Sequence, residues 1–541
     1  MASSIVLSLL LLLSPIFFVS TFALGDTSPA SVDTHLSSLR EFCNGTPYPD
    51  ACFNSLKLSI SINIDTDLIS YLLHTLQTAI SEVEKLTNLF SSAGGSNDII
   101  EKQRGTIQDC QQLQQITLSK LQRISVSGIQ LGDPRKLADA RSYLSAALTN
   151  KKTCLEGLDS ASGPLKSVLI NSLTSTYTHV SNSLSMLPKQ GPKKGGKNRR
   201  LLGFPRWISK KDRLFLQSGT SKYDTSEMIV VAADGSGNFS TITDAIKFAP
   251  SRSEYRIFIY LKEGVYKENV EIPANKPNIV LLGDGSDVTF ITGSRSVGDG
   301  WTTFRSATLG VSGDGFLARD ITIDNIAGAE KHQAVALRIN ADLSAMYKCR
   351  INGHQDTLYA HSFRQFYREC EISGTIDYIF GNAAAMFQGC NIISRMPMSG
   401  QFTVITAQSR DSPDEDTGFS MQNCSIVATD DLNSAHNSRS VKNYLGRPWQ
   451  VYSRTVILES FIDGFIDPAG WIPWSDDNPD TDDLYYGEYQ NSGGGSGTDD
   501  RVNWQGYHLM DDDDADEFTV SNFIAGDEWL DSTSFPYDDG V

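Results

Sequence analysis

The N-terminal part of the chain, from about residue 31 to residue 187, has the hydrophobic spacing of helices. Apolar residues recur three and four positions apart in 67–76 and in 137–148, and few glycines interrupt these runs. Such spacing places the apolar side chains on one face of each helix. The pattern therefore predicts an all-α helical bundle.

The pattern changes after about residue 228. Short apolar and β-branched runs alternate there with Gly, Asn and Asp, as in 229–232, 256–261, 279–283 and 288–292. Runs of this length, bounded by turn residues, predict strands. The second part of the chain is therefore expected to be all-β, and the chain is long enough for two domains.

An internal repeat organises the β-rich part. Matching positions about 20 residues apart hold aromatic residues at Tyr347, Tyr367 and Phe387, and isoleucines at Ile351, Ile372 and Ile392. A period near 20 indicates a solenoid, in which each repeat is one coil stacked on the next. If the coils are made of strands, neighbouring coils lie about 4.8 Å apart.

Two aspartates follow this repeat. Asp356 and Asp377 are 21 residues apart, and each comes seven residues after a cysteine. Stacked coils would place the two carboxyl groups side by side, which suits a carboxylate nucleophile with a carboxylic-acid partner. Aspartate is also common in solenoid turns, and spacing alone favours that interpretation. Gln355 and Gln333 lie nearby and could donate hydrogen bonds to an oxyanion.

The eight cysteines divide equally between the two parts of the chain. Four are expected to staple the helical bundle with disulfides: Cys43, Cys52, Cys110 and Cys154. The other four follow the β repeat, and coil stacking would bring neighbours within disulfide range. We expect the pairs Cys349–Cys370 and Cys390–Cys424.

Several short segments indicate a secretory protein. The apolar run from Ile5 to Ala23 predicts a signal peptide over 1–25, with an uncleaved membrane anchor as the alternative. A basic linker over 188–227 separates the helical region 26–187 from the β region 228–541. Its Arg199-Arg200-Leu201-Leu202 stretch resembles a dibasic processing site, although a plain solvated linker would have the same composition. Glycosylation sequons begin at Asn44, Asn238 and Asn423.

Charge and motif content exclude several function classes. From Lys222 onward, 23 Lys/Arg and 48 Asp/Glu give −25, and the remaining 23 and 16 give +7. An acidic β region argues against a nucleic-acid enzyme, since phosphate binding needs a basic surface. The chain has no Gly-x-Ser-x-Gly motif and no His or Cys spacing typical of zinc, so we expect neither a serine elbow nor a metal or other cofactor. The Asp511–Asp514 run is expected to be a solvated loop.

Five sequence blocks, in order, resemble the plant pectin methylesterases (pectinesterases): Gln333–Leu337, Gly353–Tyr359, Asp377–Gly381, Leu445–Trp449 and Pro468–Trp471. The stretch Ser145–Cys154 and the close pair Cys43 and Cys52 are similar to the pectin methylesterase inhibitor family. The whole chain thus resembles a precursor in which an inhibitor-like helical region precedes a right-handed parallel β-helix.

This resemblance implies roles for particular residues. Asp377 would attack the methyl ester carbonyl, and Asp356 would protonate methanol and then activate water. Gln355 and Gln333 would stabilise the oxyanion, and Arg447 would keep Asp377 ionised. Sugar contacts would come from Thr303, Trp449 and Trp471. His354 departs from the family, which often has tyrosine there.

The resemblance also implies partners and a location. The substrate would be methyl-esterified pectin, and the helical region would inhibit the enzyme in cis until a subtilisin-like protease cuts the linker. Inhibitor proteins could also bind in trans. The protein is expected to be a monomer in the plant cell wall that binds no nucleic acid. Alternatives are a β-helix pectin lyase or glycosidase, or an inhibitor-type binding protein.

Overall fold

The computed structural model describes residues 29–60, 68–127, 132–189, 228–437, 440–475 and 481–541. The expected signal peptide over 1–25 and the expected processing residues 199–202 lie outside these ranges. In the described parts of the chain, no helix combines the length and the apolar character needed to cross a membrane.

The first domain, which we call the helical domain (29–189), contains six helices in its described residues: α1 Pro29–Asn44, α2 Pro49–Ile60, α3 Leu68–Ala93, α4 Thr106–Ser127, α5 Pro134–Asp159 and α6 Leu165–Ser185. The predicted spacing is clear in α3, where Leu72, Leu76, Val83 and Phe90 are buried. Asp133 caps α5 by accepting hydrogen bonds from two backbone amides of its first turn. The helical prediction is confirmed.

Two disulfides staple this domain. Cys43–Cys52 joins α1 to α2 with the Cα atoms 5.6 Å apart, and Cys110–Cys154 joins α4 to α5 with the Cα atoms 4.8 Å apart. Both distances lie in the usual disulfide range. The second bridge fixes the helix pair that faces the other domain.

The second domain, the β-helix domain (228–541), is a right-handed parallel β-helix of three sheets in the described residues. The seven-stranded sheet contains β4 Val270–Ile272, β7 Leu309–Val311, β10 Leu337–Ile339, β13 Leu358–Ala360, β16 Ile379–Gly381, β19 Thr403–Gln408 and β22 Asn443–Pro448. The eight-stranded sheet contains β3 Gly264–Lys267, β6 Thr289–Gly293, β9 Thr322–Asn325, β12 Arg350–Asn352, β15 Glu371–Gly374, β18 Asn391–Ser394, β21 Ser425–Ala428 and β24 Phe461–Ile462.

The remaining sheet is covered by the C-terminal segment. Its eleven strands are β1 Ile229–Val231, β2 Ile257–Leu261, β5 Ile279–Gly283, β8 Leu317–Arg319, β11 Ser344–Tyr347, β14 Arg364–Arg368, β17 Ala384–Gln388, β20 Gly418–Gln422, β23 Arg454–Leu458, β25 Tyr485–Tyr489 and β26 Tyr507–Leu509. The short helices are α7 Ile242–Phe248, α8 Asp430–Asn437, α9 Asp512–Asp516 and α10 Val520–Ile524. Val520, Trp529 and Phe535 form one apolar cluster with strand residues of this sheet.

Single residues make the turn from the eleven-stranded to the eight-stranded sheet in successive coils. Each has φ between 47° and 65°, the left-handed region: Asp320, Lys348, Glu369, Gly389, Asn423 and Glu459. A one-residue turn of this kind keeps the coils in register, because each coil bends at the same place. The exposed sequon Asn423 occupies one such turn, and Asn44 and Asn238 are also exposed.

The predicted register holds for most of the repeat. Ile351 pairs with Ile372, Ile372 with Ile392, and Tyr367 with Phe387. The expectation for Tyr347 is wrong, because Met346 and not Tyr347 lies opposite Tyr367. A slip of one residue sends a side chain to the other face of a sheet. Tyr347 accordingly packs outside the coil against Phe535, with ring centroids 5.3 Å apart.

The cysteines of the β-helix also stack, but as thiols. Backbone amides that follow the cysteines bond to the carbonyl oxygens of the cysteines one coil earlier, at 2.9 Å each for Glu371 to Cys349 and Asn391 to Cys370. The expected disulfides are corrected by the structure, in which four thiols are free and buried: Cys349, Cys370, Cys390 and Cys424. In-register neighbours on parallel strands keep their Cβ atoms about 4.8 Å apart, whereas a disulfide needs about 3.8 Å.

Candidate active site

The coil stack brings the two predicted aspartates together. Asp356 and Asp377 directly precede the paired strands β13 and β16, in which Leu358 lies opposite Ile379. The amide of Asp356 donates to the carbonyl oxygen of Ile376 at 3.0 Å, which continues this pairing. Asp356 and Asp377 therefore occupy equivalent positions on adjacent coils.

Both aspartates have an unusual backbone conformation. The φ angles are 62° at Asp356 and 50° at Asp377, in the left-handed region that few non-glycine residues adopt. Aspartate tolerates this region better than most side chains, but a residue held there stores strain. Strain of this kind clusters at functional sites, and here it turns two carboxyl groups toward one cavity.

An arginine from a distant part of the sequence holds one of the two carboxylates. Arg447 donates from Nε to Oδ1 of Asp377 at 2.8 Å and from Nη2 to Oδ2 at 2.5 Å. Its strand β22 is separated from β16 by β19, so the arginine side chain reaches across one strand. Trp474 lies 4.2 Å from the guanidinium and fixes its plane.

The two carboxyl groups differ in their electrostatic environment. Burial, and then the neighbouring charge of Asp377, raise the pKa of Asp356 well above its ordinary value. Burial also raises the pKa of Asp377, but the hydrogen bonds and charge of Arg447 oppose that rise. Arg447 therefore favours the ionised form of Asp377 against the desolvation that burial imposes.

A cavity of about 350 Å³ lies above this pair. Gln333, Gln355, Thr303 and Trp449 line it as expected. No hydrogen-bond partner is found among the described residues for the side-chain amides of Gln333 and Gln355. Both amides are therefore free to donate to a bound oxygen.

Trp471 does not reach this cavity. It is only 1% exposed, packs against Tyr486 and donates its indole N–H to Glu488 at 3.2 Å. The expected sugar contact is therefore corrected. The cavity tryptophan of this segment is Trp474, three residues later, which is 41% exposed and stacks with Trp449 at 6.2 Å between centroids. Both tryptophans sit in the same Trp-x-x-Trp stretch, and only the fold distinguishes the buried one from the cavity one.

An aromatic row continues from these tryptophans. Phe380 lies 6.0 Å from Trp449, and Tyr359 stacks on Phe380 at 4.2 Å. Tyr359 and Phe380 come from adjacent coils, like the carboxylates, whereas Trp449 follows strand β22, which lies two strands from that of Phe380. Such a surface suits the apolar faces of sugar rings.

The helical domain forms the roof of the cavity. Asp109 of α4 and Thr153 and Glu156 of α5 line it together with the two catalytic candidates. The Thr153 hydroxyl lies 2.9 Å from Nε2 of His361, whose pKa burial lowers well below its ordinary value. Sequence reasoning missed these roof residues, because nothing in a linear pattern shows which helix faces will meet another domain.

Charged pairs anchor the roof at several points. Asp109 accepts from Arg305 Nε at 2.6 Å and from the Thr302 hydroxyl at 2.5 Å. Arg141 of α5 donates to both carboxylate oxygens of Asp416, at 2.5 and 2.8 Å. Burial raises the pKa of Asp109 to about 6 and that of Glu156 to about 7.

The geometry defines a two-domain ester hydrolase with a carboxylate site, and the chain belongs to the pectinesterase family. The family model Pectinesterase matches residues 228–527, and the model Plant invertase/pectin methylesterase inhibitor matches residues 37–186. Both matches agree with the class of protein that the fold and the site indicate.

Individual relatives share both parts. The chain is 66% identical over 523 residues to Probable pectinesterase/pectinesterase inhibitor 12 of Arabidopsis thaliana, covering 94% of this chain and 95% of the relative. It is 40% identical to Pectinesterase 3 of Citrus sinensis, over 94% of this chain and 89% of that one. The solved pectin methylesterase from carrot is 51% identical, with a TM-score of 0.57, and covers 60% of this chain and 100% of its own.

Proposed function

We propose that this protein hydrolyses the methyl esters of pectin to pectate and methanol, with Asp377 as the nucleophile. The observation that carries the proposal is the paired aspartates on adjacent coils, of which only Asp377 is held by a bidentate arginine. Two carboxyl groups in different environments can divide the roles of nucleophile and proton carrier. Neither residue needs a metal for this chemistry.

The reaction follows from the positions of the groups. A carboxylate oxygen of Asp377 attacks the ester carbonyl, and the developing oxyanion accepts hydrogen bonds from Gln355 and Gln333. Asp356, whose raised pKa favours the protonated form, gives its proton to the leaving methoxide oxygen. The resulting carboxylate then takes a proton from water, which attacks the anhydride and frees Asp377.

The helical domain is proposed to keep the unprocessed enzyme inactive. Thr153 and Glu156 occupy the space above the carboxyl pair, where a substrate sugar would lie. While docked, α4 and α5 therefore cover the face from which a polymer chain would approach Asp377. Cleavage at 199–202 by a subtilisin-like protease would allow the helical domain to leave, and separate inhibitor proteins would bind the same face.

The location and the assembly state are part of the proposal. Removal of 1–25 and export to the plant cell wall fit a pectin substrate. The exposed sequons Asn44, Asn238 and Asn423 are accessible to glycosylation on that route. A monomer suffices, because one chain supplies every residue named in the site.

The test is methanol release from methyl-esterified pectin by a chain cut in the linker. Asp377→Asn should reduce turnover by at least about a thousandfold, because the amide cannot attack. The matched control, Asp500→Asn at an exposed position, should leave the rate unchanged. Unsaturated products or new reducing ends without methanol would indicate a lyase or a glycosidase instead. Full activity of Asp377→Asn would refute the assignment.

A further inference from the structure

A second cavity lies where the helical domain, the β-helix and the C-terminal helices meet. It measures about 230 Å³ and does not include the carboxyl pair of the active site. Ser142 and Lys189 of the helical domain, Arg454 of strand β23 and Glu517 near the C-terminus are among its lining residues. The cavity is therefore complete only while the two domains are docked.

Arg454 enters this cavity without an acidic partner. Its Nε donates to the carbonyl oxygen of Thr417 at 2.7 Å, and no carboxylate oxygen of the described residues lies within 4.0 Å of it. The rings of Phe518 and Phe523 flank the guanidinium at 5.7 and 5.5 Å. Burial, and then the neighbouring Arg410, lower the pKa of Arg454 to about 9. A charge in such surroundings is stabilised by an added anion.

Asp416 and Glu517 oppose this lowering of the Arg454 pKa only from beyond ion-pair distance. Asp416 is taken by the bidentate contact with Arg141, and Glu517 is exposed at the surface. Arg364 is paired with Asp342 and with Asp139: its Nη2 lies 2.7 Å from Oδ2 of the first and 2.5 Å from Oδ1 of the second.

Two further groups are available to a ligand. Lys189 is exposed, and its Nζ donates to the carbonyl oxygen of Pro413 at 3.0 Å, which leaves further protons on the ammonium group. The Ser142 hydroxyl is buried and has no hydrogen-bond partner among the described residues. A buried polar atom of this kind is normally satisfied by water, an ion or a ligand.

We propose that this cavity binds a small oxyanion, either inorganic phosphate or the carboxylate of a uronic acid, between Arg454, Lys189 and the Ser142 hydroxyl. The anion would bridge a cation of each domain. Any ligand that binds only the docked form stabilises that form, and at one hundred times its Kd it shifts the equilibrium about a hundredfold. The uronate arm rests on the proposed function, because hydrolysis of the methyl esters exposes uronate carboxylates on pectin, whereas the phosphate arm does not.

The experiment is thermal denaturation of the full chain in sodium phosphate, in sodium galacturonate and in sodium chloride at equal ionic strength. Saturable binding is measured in parallel by titration calorimetry. We expect at least one oxyanion to raise Tm beyond chloride, with saturation. A saturable rise in Tm with phosphate alone would identify a free inorganic anion as the occupant. A rise with galacturonate alone would identify the uronate.

Variants locate the effect. Arg454→Met should abolish the oxyanion-dependent rise in Tm, Arg454→Lys should retain part of it, and Lys189→Gln should weaken it several-fold. The control is Arg135→Gln, which changes an exposed arginine of α5, the helix that carries Ser142; Arg135 does not line this cavity, and the variant should behave as wild type. If Arg454→Met does not fold, Lys189→Gln and the calorimetry decide the outcome.

Three results would overturn the proposal: a rise in chloride equal to that in both oxyanions, no saturable heat with either anion, or an undiminished response in folded Arg454→Met. Methanol release by the linker-cut chain, measured on the same preparations, tests the esterase function separately. Loss of oxyanion binding with normal methanol release would therefore refute only this second site.

Discussion

The docking of the helical domain should weaken as the pH rises, and Glu156 should account for much of the effect. This carboxyl group lines the active-site cavity, and its pKa is raised from 4.5 to about 7, first by burial. Lys152 on the same helix opposes the rise, and Asp411 of the β-helix domain adds to it. The docked form therefore binds a proton that an undocked, solvated Glu156 would release.

The sign and size follow from this shift. Below about pH 4.5 both forms are protonated and docking is at full strength; docking is then lost progressively up to about pH 7, where the docked group ionises. The shift is about 2.5 pKa units, and each unit corresponds to about 1.4 kcal/mol, so an upper bound is about 3.5 kcal/mol. Because the side chain keeps some solvent access, we expect about 2 kcal/mol, or roughly thirtyfold in the docking constant.

The assay uses a chain with a specific protease site inserted in the linker. After cutting, dissociation of the helical domain is followed by biolayer interferometry from pH 5 to pH 8. Glu156→Gln should bind as tightly at pH 8 as at pH 5 after correction for the other buried carboxyl groups with raised pKa values, among them Asp109, Asp356 and Glu415. The exposed control Glu41→Gln should follow wild type. Equal pH dependence in Glu156→Gln, or tighter binding at high pH in wild type, would refute the reasoning.

Three further outcomes test other parts of the structure. Arg141→Met leaves Asp416 without its partner and should weaken docking by about 1–3 kcal/mol, measured in the same assay; unchanged binding would contradict the role of this pair. Gly446→Ala places a Cβ 2.1 Å from the Thr406 hydroxyl, so it should lower the free energy of unfolding by about 1–3 kcal/mol. Urea titration measures this loss, and an unchanged free energy of unfolding would contradict the prediction. Alkylation in denaturant without reductant, followed by mass spectrometry, should modify four of the eight cysteines, namely Cys349, Cys370, Cys390 and Cys424. Modification of none of them would instead support the disulfides expected from the sequence.

The repeat allowed much of the catalytic geometry to be predicted. The 21-residue spacing placed Asp356 beside Asp377 because parallel coils convert sequence period into contact. The repeat failed as a guide for Tyr347, which is 20 residues from Tyr367 although this coil has 21 residues. The one-residue difference moves the Tyr347 side chain to the other face of the sheet. Periodicity therefore identifies neighbours only where the coil length is known to the residue.

Other features depended on packing that no linear pattern shows. Trp471 and Trp474 differ by three positions, yet one is in the core and the other in the cavity. The cysteine spacing indicated proximity correctly but not chemistry, because bond formation depends on Cβ separation and not on stacking alone. The contacts of Asp109 and Thr153 with the β-helix domain required the docked arrangement of both domains.

The order of the elements along the chain also sets the order in which they are synthesised. Ribosomes make the chain from the N-terminus, so the six described helices of the helical domain precede the first strand of the β-helix. Asp356 and Asp377 emerge next, and Arg447 follows 70 residues after Asp377. A nascent chain would thus hold both carboxyl groups before it holds the cation that distinguishes them. The cover for the active site is synthesised before the active site itself, so the enzyme never has to exist uncovered during its own synthesis.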